Sequence, residues 1–248
     1  MIEALALGKS FGAVKAVDGV SFTAHDGQIT GLLGPNGAGK TTTLRMIGTL
    51  VSIGAGQARV DGIDVSARPK DALQACGFLS DARGLYTRMT ARENIRYYAE
   101  LRGIDPARSE SAINRYADWL DMRALLDRRT DGFSQGERMK VAITRALVHE
   151  PPNVILDEPT NGLDVMSTRA LRELIRRLRA EGRTVLFSSH VMQEVAALCD
   201  RIVIIAQGRV TAAGTPADIL SAGGKDNLED AFVSLAGIDA AHGGEAVA

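Results

Sequence analysis

The spacing of apolar positions changes along the chain, and each change marks an element. Val17, Val20 and Phe22 follow a strand-like alternation, His25-Asp26-Gly27 turns the chain, and residues 29–33 form a short run expected to be a buried strand. Glycines punctuate residues 34–39. Residues 41–50 then read as a helix with Leu44, Ile47 and Leu50 on one face. Over residues 90–126 the period is helical, with Ile95, Tyr98 and Leu101 spaced three apart and a second set at Ile113, Tyr116, Trp119 and Leu120. Val154-Ile155-Leu156 and Val185-Leu186-Phe187 are short runs suited to central strands of a parallel sheet. Between them Leu171, Leu174, Ile175 and Leu178 mark an amphipathic helix, so strand, helix and strand follow in order. A late strand over 201–206 reaches a turn at Gln207-Gly208, and Leu228, Ala231, Phe232 and Leu235 predict a short helix docked on the body. The order predicts an α/β core with a helical insertion near residues 85–135. The Gly- and Ala-rich residues 236–248 are expected to fray.

Composition narrows the class. The 248 residues are 45% hydrophobic and 24% charged, which excludes collagen-like and mostly disordered chains. Lys and Arg total 29 against 30 Asp and Glu, a formal net charge of -1, so no global basic excess recruits nucleic acid or anionic lipid. The longest apolar run, 202–206, is far short of a membrane span, and Glu3 and Lys9 break any signal-peptide core. The expectation is a chain that stays in the cytoplasm. Cys76 and Cys199 match no metal spacing and are expected to be reduced and buried. Arg169, Arg172, Arg176, Arg179 and Arg183 step by three and four, predicting a solvated outer helix face paired locally with Glu173 and Glu181.

Two motifs carry chemistry. Gly34-Pro35-Asn36-Gly37-Ala38-Gly39-Lys40-Thr41 fits G-x-x-x-x-G-K-[ST] between a predicted strand and a predicted helix. Its glycines let backbone N–H groups wrap phosphate oxygens, and the helix N-terminus favours the same anion. Lys40 supplies a cation for the β and γ phosphates of a nucleotide. The Thr41 hydroxyl can ligate Mg²⁺, and Thr42 joins the phosphate-binding set. Farther on, the buried run 154–156 delivers Asp157 and Glu158 side by side. Successive strand residues point oppositely, so the two carboxylates are expected to do different jobs: Asp157 in the Mg²⁺ shell, Glu158 orienting or deprotonating an attacking water.

These elements alone would allow a kinase, a GTPase or a motor. Phe133-Ser134-Gln135-Gly136-Glu137, ahead of an amphipathic helix that Ser134 is placed to cap, narrows the choice. With it the chain resembles the ATP-binding cassette (ABC) family over about residues 2–235; the family signature at this point reads L-S-G-G-Q. Asn161-Gly162-Leu163-Asp164 resembles the family's D-loop, His190 its switch histidine, and Phe11 the aromatic that stacks on adenine.

The resemblance implies a P-loop NTPase fold of ABC type: a RecA-like core with an antiparallel β-subdomain and a helical subdomain. It implies an ATPase needing ATP and Mg²⁺, whose cassettes dimerise head to tail around two ATP molecules. Ser134 and Gly136 would bind the γ-phosphate in trans, and His190 would contact it in cis. The signature departs from the pattern at Phe133, Gln135 and Glu137. Asp81 stands where the family usually has a metal- or water-contacting Gln, which makes it a metal-ligand candidate. These departures resemble ATPase subunits of two-component exporters, the sodium-extrusion (Nat-type) systems nearest, whose permease is a separate chain. The expected role is to power export at the cytoplasmic face of the cell membrane, as a homodimer with a membrane permease and no nucleic-acid partner. The alternative is a soluble ABC ATPase acting on ribosomes or DNA. Such proteins typically carry two cassettes or a long coiled coil, neither of which this chain has. A metabolite kinase would leave the signature unexplained.

Overall fold

The computed structural model describes residues 1–80 and 84–237. The chain opens with strands β1 (Ile2–Phe11) and β2 (Val14–Ala24), then β3 (Ile29–Leu33), helix α1 (Lys40–Ile47), β4 (Ala55–Val60), β5 (Ile63–Asp64), α2 (Pro69–Gln74) and β6 (Cys76–Leu79). Helices α3 (Ala91–Leu101), α4 (Pro106–Trp119) and α5 (Gln135–Leu147) follow. Then come β7 (Asn153–Leu156), α6 (Val165–Ala180), β8 (Thr184–Ser189), α7 (Met192–Leu198), β9 (Arg201–Ala206), β10 (Arg209–Gly214), α8 (Pro216–Gly223) and α9 (Leu228–Ala236). One sheet has the order β2-β1-β4-β5 and is antiparallel. The other runs β10-β9-β3-β8-β7-β6, parallel except for β10.

The central strands are buried along their whole length because both of their faces are covered. Ile29 and Leu33 of β3, Val154 and Leu156 of β7, and Val185 and Phe187 of β8 enter a core shared with the helices. Leu32, Ile155 and Leu186 enter a second core, beneath the antiparallel sheet and α1. The helical insertion starts with a capping box at Thr90 and Glu93, and Asp105 caps α4. At the other end α9 docks through buried Ala231 and Phe232. The rest of the Gly- and Ala-rich end, 238–248, lies outside the described residues.

Two expectations need correction. The helix read over 41–50 stops at Ile47: Gly48 caps it and Thr49 takes φ 60, so Leu50 leaves the helical face and is 57% exposed. The helical period over 95–101 holds in α3, with Ile95 fully buried and Leu101, at its end, 65% exposed. Two steps of three residues fall about 120° short of whole turns and carry Leu101 off the buried arc. The arginine stripe is also not one solvated face. Arg183 lies beyond α6 and is buried, donating to the Tyr116 hydroxyl at 2.9 Å and pairing with Glu181 at 2.8 Å as expected, whereas Glu173 pairs with Arg177, at 3.2 Å, rather than with the stripe. The two cysteines are free and buried; burial pushes both thiols up, Cys76 to about 12.

Candidate functional site

The site forms where β3 and β7 end beside α1. Gly34 has no room for a side chain, since a Cβ would collide with the Ile205 carbonyl oxygen. Gly39 takes φ 101 at the start of α1, a conformation glycine adopts without strain, while a Cβ would strike the Ala16 carbonyl. The chain thereby turns tightly enough to bury Lys40. Its Nζ donates to the carbonyls of Gly34 (2.7 Å) and Pro35 (3.1 Å) and lies 3.3 Å from Glu158 Oε1.

The adjacent carboxylates face different partners. Asp157 is 1% exposed, and its Oδ1 accepts from Ser188 Oγ (2.7 Å) and Thr41 Oγ1 (3.0 Å). Its Oδ2 is buried with no hydrogen-bond partner among the described residues. Burial pushes this carboxyl up, against the two hydroxyl hydrogen bonds and with help from the neighbouring Glu158 charge. Glu158 takes φ 44, a left-handed conformation that costs a non-glycine residue about 1 kcal/mol or more, and its N–H is held by Ser188 Oγ at 2.8 Å. Because β7 ends at Leu156, this turn redirects the Glu158 carboxylate toward Lys40 and His190. His190 Nδ1 stands 2.8 Å from Glu158 Oε2, close enough for the ring N–H to donate to the carboxylate.

A cleft of about 480 Å³ gathers most of the predicted residues: Phe11, Asn36, Gly37, Ala38, Gly39, Lys40, Thr41, Thr42, Glu158 and His190. Phe11, at the end of β1, stands half exposed on its wall. Gly34 and Pro35 support the loop from below through the carbonyls that hold Lys40. Ser134 and Gly136 are not part of this cleft. Ser134 caps α5 in a capping box with Glu137 and lines a separate groove with Asp164, Met166 and Ser167. A Cβ at Gly136 would sit 2.6 Å from Ser167 Oγ. Asp81 lies outside the described residues.

The donor set suits a hard divalent cation. A buried carboxylate with an unpartnered oxygen and a threonine hydroxyl beside it are oxygen ligands of the kind Mg²⁺ takes. The buried ammonium and the start of α1 suit phosphate.

One functional neighbour escapes a reading of the sequence: Ser188, which holds both Asp157 and Glu158. Asn161, in the D-loop segment already named, lines the cleft. Gln135 donates its side-chain amide to the Asn161 carbonyl at 3.0 Å, crossing Gly162. The available signal was a pair of serines ending the apolar run of β8, polar residues placed where a strand delivers its last side chains. Glu137, a departure from the family signature, closes the capping box on the Ser134 N–H at 2.8 Å.

The profile of the ABC transporter family matches residues 17–161. The chain is 43% identical over 222 residues to the ABC transporter ATP-binding protein NatA of Bacillus subtilis (strain 168), covering 89% of this chain and 90% of that one. It is 35% identical over 234 residues to the linearmycin resistance ATP-binding protein LnrL of the same organism, covering 94% and 75%. A solved structure of an ATP-binding subunit of an ABC transporter superposes with a TM-score of 0.87 at 30% identity, covering 95% of this chain and 99% of that one. Fold, cleft and likeness agree: the chain belongs to the ABC transporter family and is one of its ATP-binding ATPase subunits.

Proposed function

We propose that the chain is the energy-supplying subunit of an exporter, working as one of two cassettes on a separate membrane permease. The observation that carries this reading is the convergence on one cleft of a buried lysine, a buried carboxylate–hydroxyl pair and a Glu–His pair. Lys40 and the start of α1 bind the phosphates, and Phe11 offers a face to the adenine ring. Thr41 and Asp157 would hold Mg²⁺, whose chemistry is to neutralise charge developing on the transferred phosphoryl group. Glu158 orients or deprotonates the attacking water, and His190 steadies that carboxylate from the far side.

Ser134 opens onto a different groove and Gly136 is buried beside it, so neither faces the chain's own cleft, which supports their acting on a second subunit's nucleotide rather than on their own. Cassettes of this family work with permeases and form dimers. Among the described residues no helix is long and apolar enough to cross a membrane, in keeping with a subunit that sits on the cytoplasmic face and relies on a permease to span it. Sodium as cargo rests on the resemblance to the Nat-type group.

The test is to isolate the chain with its membrane partner, reconstitute the pair in proteoliposomes and compare ATP hydrolysis with that of the isolated chain. Stimulation by the partner, abolished by Lys40→Ala, is the expected result. Hydrolysis that no membrane protein alters would refute the transport reading, and hydrolysis that survives Lys40→Ala would refute the site. ATP-driven Na⁺ movement in the same vesicles checks the cargo.

A further inference from the structure

We propose that Glu194 is a positioning residue that ties the segment leaving Glu158 to the loop carrying His190. The inference rests on the reading of Glu158 and His190 as the hydrolytic pair. Glu194 lies in the first turn of α7 and is buried. Its Oε2 accepts from Thr160 Oγ1 at 2.7 Å and from Ser189 Oγ at 3.0 Å. Thr160 is two residues past Glu158, and Ser189 immediately precedes His190. Ser189 Oγ also accepts the Val191 N–H at 3.0 Å, so both flanks of His190 hang from one hydroxyl that the carboxylate holds. One oxygen atom therefore fixes the spacing between the two halves of the pair, whose own contact is 2.8 Å.

The arrangement accounts for the buried Ser189 and Glu194 and the partly buried Thr160, polar groups that no other part of the site uses. Ser188 binds Asp157 and the Glu158 amide directly, whereas Ser189, Thr160 and Glu194 touch neither acid. Thr160 also begins the stretch whose next carbonyl, that of Asn161, is gripped by Gln135. Displacement of that stretch is thus passed to His190 through Glu194. The role is geometric: a glutamine at 194 offers the same carbonyl oxygen to both hydroxyls, and a leucine offers none.

The experiment compares kcat and KM for ATP in the purified full chain. Thr160→Val and Glu194→Leu should each lower kcat about ten- to a hundredfold, with KM changed less than about twofold. Thr160→Ser and Glu194→Gln should keep kcat within about threefold of wild type. The Thr160→Val/Glu194→Leu double variant should be no slower than the slower single one. Should Glu194→Leu not fold, the nearly isosteric Thr160→Val and Thr160→Ser pair carries the test alone. Wild-type kcat in Thr160→Val, or kcat and KM worsening together in step with a lowered Tm, overturns the proposal. Glu158→Gln, run alongside, separates the two readings. If it still turns over ATP, the hydrolytic pair is misassigned and the inference falls with it. If it is inactive while Thr160→Val is unaffected, the inference alone fails.

Discussion

Asp157→Asn should push binding and stability in opposite directions. The wild-type carboxylate is 1% exposed, keeps one oxygen without a partner and lies next to a second acid. Asparagine retains an acceptor for Ser188 and Thr41 and removes the buried charge. An unpartnered neutral group still costs free energy there, but a charged one costs more, and the difference is about 1–2 kcal/mol. At about 2–4 °C per kcal/mol for a chain of this size, the variant without nucleotide should melt about 2–8 °C above wild type. With Mg²⁺ and ATP the order should reverse, because on the proposed assignment Mg²⁺ would lose an anionic ligand. Forfeiting about 3 kcal/mol of charge stabilisation in the transition state slows hydrolysis about a hundredfold. Thermal melts with and without Mg²⁺ and ATP, together with an ATPase assay, check both halves. A lower Tm without nucleotide, or a Mg²⁺-dependent stabilisation as large as wild type, would refute the reasoning.

Glu158→Gln keeps the shape of the side chain and removes the base, so kcat should fall about 10²–10⁴-fold. ATP should then collect a stable dimer, and a variant that elutes as a monomer with ATP in size exclusion contradicts the assigned role. In a mixture of Ser134→Arg and Lys40→Ala chains, mixed dimers contain one nucleotide site with neither defect. Partial recovery of ATPase activity supports assembly in trans, and none despite confirmed mixed dimers counts against it. His149 is buried, which lowers its pKa from 6.5 to about 4, with nearby Arg102 adding to the shift. The folded chain therefore resists protonating a ring that the unfolded chain protonates readily. Its stabilising contribution is whole above pH 6.5 and is lost as pH falls toward 4, amounting to about 2 kcal/mol between pH 7 and 5. The stability difference between His149→Gln and wild type, followed by denaturant melts across that range, should change by this amount, and a pH-independent difference would refute the assignment.

How far the sequence could be read depended on how local each constraint was. The strands of the parallel sheet are covered on both faces, so β7 and β8 announce themselves by the apolar runs 154–156 and 185–187, and the phosphate loop is a single contiguous motif. Leu50 misled because an apolar residue past a helix end looks the same in sequence as one on the helix's buried face. The partners of the acids were invisible for another reason. Ser188 is 31 residues from Asp157, and Glu194 is 34 from Thr160. These pairs meet only because β8 lies parallel beside β7, at a register that sets Phe187 against Leu156 and so brings both strand ends to one level. Pattern and spacing identify which residues carry charge. Sheet order decides which hydroxyls reach them.

On the proposed assignment, the same sheet order would make binding phosphate and readying the base linked events. The Lys40 ammonium has three donors and three neighbours: the carbonyls of Gly34 and Pro35, and the Glu158 carboxylate. The two carbonyls belong to the loop and turn with it. A γ-phosphate approaching Lys40 therefore competes with Glu158, the one partner that can leave without unfolding the loop. Glu158 is also held at its amide by Ser188 and at its other oxygen by His190, so a carboxylate displaced from Lys40 pivots about fixed points. The charge that Lys40 gives up is regained from the phosphate. Glu158 exchanges an ion pair for a free acceptor oxygen beside the nucleotide, which is what a residue orienting water needs.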